Sequence, residues 1–384
     1  MKCNGIDFAS GNHFEILFSE VIEGVEDALA PPLDDAYIAP GFVDLQVNGF
    51  FGVDYNSPSA AHDEIARSIR VMFATGVTRF FPTVITGSPQ IMCGALRNLA
   101  AAREALQDGA AMEAFHVEGP YISPEDGPRG AHPRQWVRPP DEDEFQRMQE
   151  AAGGLIRLMT LSPEWPNAPH FIEWLLRQGV AVSIGHTKAT PAQIVDAVSA
   201  GATLSTHLGN GAHSTLSRHP NYIWEQLAQD RLAASFIVDG IHLGAAFLTV
   251  AIRAKGAERA LLVTDAVAPA GCAPGPYAIG GVEVELRADG SVRMREGDRL
   301  AGSSLMMDRA ISNVIKMAGV SLRDAITMAT RNPARIGRIA SRARGLAVGE
   351  RADLVRFRVG SDGVMHVLDT WMSGRHVFTA TTTA

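Results

Sequence analysis

Short apolar runs recur along this chain and alternate with longer segments whose apolar positions fall three and four residues apart. The runs lie at 41–47, 77–84, 113–118, 156–161, 181–186, 203–207, 233–238 and 261–265. A continuous apolar run bounded by turn residues predicts a strand buried on both faces. The segments between them, 59–75, 88–108, 141–152, 167–178, 191–200, 221–231 and 244–256, mostly carry one apolar face, which predicts helices packed on a sheet. Pro89 and Pro191 stand near two predicted helix starts, where a missing N–H costs little. Eight strands alternating with helices predict a parallel sheet, and eight is the number that closes a (β/α)8 barrel.

The pattern changes at both ends. Residues 1–38 read as short strands punctuated by Gly and Pro, with Phe14–Phe18 apolar-rich, and they are too few to fold alone. After the eighth run, Gly271–Gly302 is rich in Gly and Pro and holds a hairpin signal at Asp289-Gly290. Helices are predicted near 303–318 and 321–329, with a third starting near Pro333. Strand-like alternation returns between Gly345 and Val377, in Ala352–Phe357 and Met365–Leu368. Two small β segments at opposite ends bury themselves most simply by pairing beside the barrel. The expected division is a barrel over 39–344 and a small β-sandwich from 1–38 with 345–384; the Thr/Ala tip at 379–384 is the only low-complexity stretch.

Composition narrows the class. The chain's 384 residues exceed the roughly 250 of a typical barrel by enough for that second module. A 46% hydrophobic content supports a large core, and a net charge of −8 argues against a nucleic-acid partner. Cys3, Cys93 and Cys272 are odd in number and form no CxxC pair, so neither a disulfide framework nor a thiolate zinc site is expected. No stretch of ~18 apolar residues and no apolar leader stand out, so the chain reads as a soluble cytoplasmic protein without membrane contact.

In a barrel of this type the chemistry lies where strands end and the following loops begin. Those ends carry Gln46 and Asn48, Glu118, His186, His207, Asp239 and His242, and Asp265. Each histidine alone is equally a hydrogen-bonded core residue. Two at successive strand ends, with a carboxylate at a third, form the three-ligand set of a catalytic divalent metal with an open position. A Glu closing the apolar run Phe115–Val117 is costly to bury without a positive partner, whether metal or arginine. Asp265, after Leu261–Thr264, either caps the next turn or stands beside the metal's water as a proton acceptor.

Taken together, PGFVDLQVNG, HVEGPYISP, GHTKAT, THLGN, DGIHL, LVTDAVAPAG and LAGSSLMM resemble the N-acetylglucosamine-6-phosphate deacetylases of the amidohydrolase superfamily, over about Ala39 to Asp353. The resemblance implies a (β/α)8 barrel with a small β-sandwich and a homodimer. It also implies one divalent ion, zinc first among Zn, Fe, Mn and Co, held by Glu118, His186 and His207. Asp265 would be the catalytic acid/base, His242 would sit by the substrate carbonyl, and His132 by a sugar hydroxyl. Asn210, the Gly211 backbone and Arg218 would hold the phosphate. Gln46 and Asn48 replace the His-x-His pair of many amidohydrolases, and no lysine follows the fourth strand, so a single-metal site is expected. The implied activity is removal of the acetyl group from N-acetylglucosamine 6-phosphate. The family's Ala-Met pair after THL-x-N is Gly211-Ala212 here, and His213, His219 and Trp224 are additions. That altered loop leaves open an unphosphorylated or galactosamine-type N-acetyl sugar.

Overall fold

The computed structural model describes residues 1–28, 34–296, 299–342 and 344–381; part of the Thr/Ala tip, 382–384, lies outside them. Eight parallel strands pair in chain order: β1 (Phe42–Val47), β2 (Val77–Ile85), β3 (Phe115–Glu118), β4 (Ile156–Leu161), β5 (Ala181–Ile184), β6 (Leu204–Ser205), β7 (Ala233–Phe236) and β8 (Ala260–Leu262). The last meets the first just beyond their ends. Asp265 N donates to Gln46 O at 3.0 Å, Asn48 N donates to Ala266 O at 2.7 Å, and Val47 bridges Ala266 in parallel. The barrel is thus closed by the residues that carry its polar side chains.

Seven helices cover the outside: α1 (His62–Phe73), α2 (Pro89–Ala105), α3 (Glu142–Ala151), α4 (Ala168–Arg177), α5 (Pro191–Ser199), α6 (Tyr222–Ala228) and α7 (Ala245–Lys255). Local chemistry sets their starts. Ser88 caps α2 ahead of Pro89, and Thr190 forms a capping box with Gln193 ahead of Pro191. An eighth helix, α8 (Met307–Ala318), ends at Gly319 in the left-handed conformation. No helix among the described residues is long and apolar enough to cross a membrane.

The two chain ends meet in one seven-stranded sheet. Tyr37–Pro40 lies at its middle, parallel to Lys2–Asp7 and antiparallel to Leu354–Val359, with Leu354 opposite Pro40. Its far end includes Arg375–Thr379, a strand that the sequence pattern did not single out. At the junction with the barrel lies a buried charge cluster. Asp353 receives Arg79 Nε at 2.7 Å, Arg342 Nη2 at 3.0 Å and Arg351 Nη2 at 2.7 Å. Burial pushes the Asp353 carboxyl up, and the Arg342, Arg351 and Arg79 guanidiniums outweigh it and hold it well below the usual carboxylate range.

The Gly- and Pro-rich stretch expected as a connection with one hairpin is an antiparallel sheet of four strands, Gly275–Ile279, Val282–Leu286, Ser291–Met294 and Leu300–Ser303. The Asp289-Gly290 hairpin is its central turn, with Leu286 opposite Val292. Val267, Ile279, Val284, Leu286, Val292 and Ala301 form its own apolar cluster. Alternation within strands this short is a weak signal in the sequence.

Candidate active site

Three predicted strands stop early, at Ile184, Ser205 and Leu262, two or three residues before the side chains of interest. His186 (φ 48°), His207 (φ 29°) and Asp265 (φ 50°) all occupy the left-handed region. Non-glycine residues there cost on the order of 1–3 kcal/mol each and persist only where their surroundings hold them. Here the left-handed turn swings each chain out of the sheet and leaves its side chain on the wall of one cavity of about 920 Å³.

At the floor of that cavity three nitrogens converge on Glu118 Oε1: His207 Nε2 at 3.0 Å, His186 Nε2 at 3.3 Å and Gln46 Nε2 at 3.0 Å. That is one donor more than the oxygen's two lone pairs accommodate. A tetrahedral ion with ligand bonds of about 2.0–2.2 Å holds its donors roughly 3.3–3.6 Å apart, close to these spacings. Glu118, His186 and His207 are all buried, their ligand atoms lie within 4.8 Å of one another, and His207 Nδ1 is buried without a partner among the described residues. The donor set and its crowding fit a divalent cation. Burial would push the Glu118 carboxyl up, but the hydrogen bonds and charges of His186 and His207 prevail and hold it well below the usual range.

The ring of His186 is fixed from behind, with Nδ1 against Pro128 O at 2.8 Å, which leaves Nε2 for the ligand position. Gly211 (φ +56°) packs against the same ring: a Cβ there would stand 2.7 Å from Nδ1, so the bare glycine suits this arrangement. Gln46 Nε2 also donates to Asp265 Oδ1 at 3.1 Å, and Asn48 Nδ2 donates to that oxygen at 2.6 Å. Burial, then the charge on Glu118, pushes the Asp265 carboxyl up to about 6. A carboxyl poised there can hold a proton and release it near neutral pH.

The other expected residues divide. His132 lines the cavity, with Nδ1 against Thr86 Oγ1 at 2.8 Å and Nε2 3.9 Å from Glu118 Oε2. Burial, then the neighbouring His186, pushes it down to about 3, so it is neutral. His242 lines the cavity with its Nδ1 2.6 Å from Asp239 Oδ2, which leaves Nε2 free of that bond. Asn210 and Gly211 line it as well. Arg218 does not: it is exposed on the loop and is not among the lining residues. Of the added residues, His213 lines the cavity and joins two loops, with Nε2 on Glu125 Oε1 and Nδ1 on Tyr222 Oη, both at 3.0 Å; His219 and Trp224 are exposed.

Beneath the floor lies a polar layer that the sequence reading missed. His116 Nε2 meets Thr160 Oγ1 at 2.8 Å, and Thr160 Oγ1 meets Thr206 Oγ1 at 2.7 Å. Burial drives His116 down to about 4. The available signal was spacing: His116 is two residues before Glu118 on one strand, so both point to the same side.

A model described as the amidohydrolase family matches residues 37–377. The N-acetylglucosamine-6-phosphate deacetylase of Bacillus subtilis (strain 168) is 34% identical over 324 residues, 84% of this chain and 80% of that protein. The protein of that name from Bos taurus is 35% identical over 351 residues, 89% of this chain and 83% of its own. Among solved structures, a mutant N-acetyl-D-glucosamine-6-phosphate deacetylase from Mycobacterium smegmatis, in complex with N-acetyl-D-glucosamine-6-phosphate, has a TM-score of 0.88 at 29% identity and covers 98% of both chains. The Thermotoga maritima deacetylase has a TM-score of 0.85 at 27% identity, covering 99% of this chain and 100% of its own.

Proposed function

The chain belongs to the amidohydrolase family and, within it, to the N-acetylglucosamine-6-phosphate deacetylases, and from that premise we propose a residue-level account of its reaction. It hydrolyses the acetamide of N-acetylglucosamine 6-phosphate to glucosamine 6-phosphate and acetate. The observation that carries this reading is the meeting of Glu118, His186 and His207 with Asp265 across one amide, Gln46 Nε2, in a single cavity.

We assign the ion to Glu118, His186 and His207, with zinc first among Zn, Fe, Mn and Co. When bound, it polarises the acetamide carbonyl and acidifies water. Asp265 takes the proton of the attacking water and returns it to the departing amine, so one carboxyl serves as base and then acid. Asn48 and Gln46 hold its Oδ1 while it does so. His242, steadied by Asp239, is assigned to the carbonyl oxygen as a donor. His132 is assigned to a sugar hydroxyl, and Asn210 and the Gly211 backbone to the phosphate end; Arg218 joins them by resemblance alone. The terminal sheet, 1–38 with 345–384, is assigned as a small domain beside a barrel of 39–344, in a cytoplasmic homodimer. The test is a panel of N-acetylglucosamine and N-acetylgalactosamine, each with and without 6-phosphate, run alongside elemental analysis and light scattering. Preference for the phosphorylated glucosamine form is expected. Equal or greater turnover of an unphosphorylated sugar refutes the substrate assignment.

A further inference from the structure

We propose that Asp44 and Thr264 form a buried link that positions the acid/base Asp265 against Gln46, an inference that rests on the deacetylase reading above. The first and last strands of the barrel pair through no regular ladder. Asp265 N donates to Gln46 O at 3.0 Å, and Asn48 N and Gly49 N both donate to Ala266 O, so these backbone bonds cross the seam at residues 265 and 266. One residue earlier the seam is bridged by a side chain. Asp44 Oδ2 accepts from Thr264 Oγ1 at 2.5 Å, and Thr264 N lies 3.3 Å from both carboxylate oxygens. Asp44 Oδ1 also accepts from Gln46 N at 3.1 Å. The carboxylate thus receives backbone N–H groups from both strands, the place that a strand carbonyl takes in a ladder.

Asp44 is 1% exposed and pairs with no cation among the described residues. Burial pushes its carboxyl up to about 7, opposed by the Thr264 hydroxyl first and then by the Gln46 and Thr264 N–H groups. Both donor residues belong to the arrangement around Asp265. Thr264 adjoins it in the chain, and Ser303 holds the next level of the same turn, its Oγ donating to Thr264 O and its N to Asp265 O. Gln46 reaches Asp265 Oδ1 at 3.1 Å and Glu118 Oε1 at 3.0 Å through one amide. Asp44 and Gln46 stand two apart on one strand, so both side chains leave the same face of it. Neither Asp44 nor Thr264 lines the cavity, so they act on the reaction through Asp265 and Gln46 as positioning residues. Removing the Thr264 hydroxyl takes away the closest donor of Asp44 and frees the two strands to shift against each other. A displacement of about 1 Å at a reacting group costs on the order of 100-fold in rate.

The test compares the metal-loaded wild-type protein with Thr264→Val, Thr264→Ser and Asp44→Asn on N-acetylglucosamine 6-phosphate, with metal content and thermal unfolding measured on each. Valine keeps the shape of threonine and removes the donor; serine keeps the donor. Asparagine keeps the shape of Asp44 but turns an N–H group toward the backbone donors. Thr264→Val and Asp44→Asn are each expected to lower kcat by about 10–100-fold, with KM within about twofold and metal content as in the wild type. Thr264→Ser is expected to restore most of the loss. An unchanged kcat in folded Thr264→Val and Asp44→Asn overturns the proposal. So does a serine variant as slow as the valine one, or a loss of rate that follows loss of metal. Should Thr264→Val not fold, Asp44→Asn decides; failure of both to fold shows that the link serves the barrel alone and overturns the positioning role. If the wild-type protein itself ignores the substrate, it is the deacetylase reading that has failed, and that is known before any variant is made.

Discussion

Replacing Asn48 by alanine should move the acid limb of the pH–rate profile toward alkaline pH. Asn48 Nδ2 donates a 2.6 Å hydrogen bond to Asp265 Oδ1, the shorter of the two side-chain bonds that oxygen receives. Asp265 is buried, and burial and then the Glu118 charge bring its carboxyl up to about 6 while the Asn48 amide pulls the other way. A hydrogen bond to a charged group contributes about 1.5–3 kcal/mol, and one pKa unit corresponds to about 1.36 kcal/mol, so losing it raises the carboxyl by about 1–2 units. Asp265 acts as a base only when ionised, so activity rises with pH through its pKa and the variant's midpoint lies about 1–2 units higher. A bound cation lowers the midpoint in both proteins by a similar amount and leaves the difference standing. The assay is kcat/KM from pH 5 to 9 for Asn48→Ala and wild type, with thermal unfolding to establish that both are folded. Superimposable acid limbs from two folded proteins would show that the group setting the limb is not Asp265, and the mechanism would lose its base.

Further outcomes follow from the same geometry. Stripping the metal with a chelator should abolish deacetylation and lower Tm, because an ion that binds only the folded protein stabilises it by about 4 kcal/mol at a thousand times its Kd; a chelated protein with full activity refutes the metal role. Glu118→Ala and His207→Ala should each bring metal content by elemental analysis well below one per chain, whereas Asp265→Ala should keep the metal and lose about a thousandfold or more in kcat. Asp353→Ala leaves two buried guanidiniums, of Arg79 and Arg342, and the half-buried Arg351 without their shared carboxylate and should cost about 3–5 kcal/mol in denaturant unfolding; a loss under about 1 kcal/mol contradicts the cluster's role. Because Asp353 is held below its unfolded value near 3.9, its contribution is full above that pH and is lost as pH falls further. Wild type should therefore weaken more than Asp353→Ala in unfolding curves taken below about pH 4.

How much was legible beforehand varied with the kind of signal. The eight strands and seven helices announce themselves because a parallel barrel buries its strands on both faces and its helices on one, and both habits leave a period in the chain. Glu118, His186, His207 and Asp265 were legible because a polar residue closing an apolar run is costly without a partner. Their exact settings were not: the left-handed turns at His186, His207 and Asp265 cut the strands short, and no periodicity reports a single φ angle. The four-stranded sheet over the cavity was hidden by its glycines and its brevity.

The amino-acid order by itself therefore determined the architecture and the inventory of candidate ligands and of the candidate acid/base, since both follow from local pattern and residue type. Only the folded chain decided which of the candidate residues share one cavity. Arg218 lies exposed outside it, whereas Gln46, from the first strand, joins Glu118 to Asp265 at its floor. Folding also brought Arg79 onto the buried Asp353, 274 residues further along the chain. Contacts between residues this far apart depend on how the elements pack, and packing is a property of the whole chain rather than of any window within it.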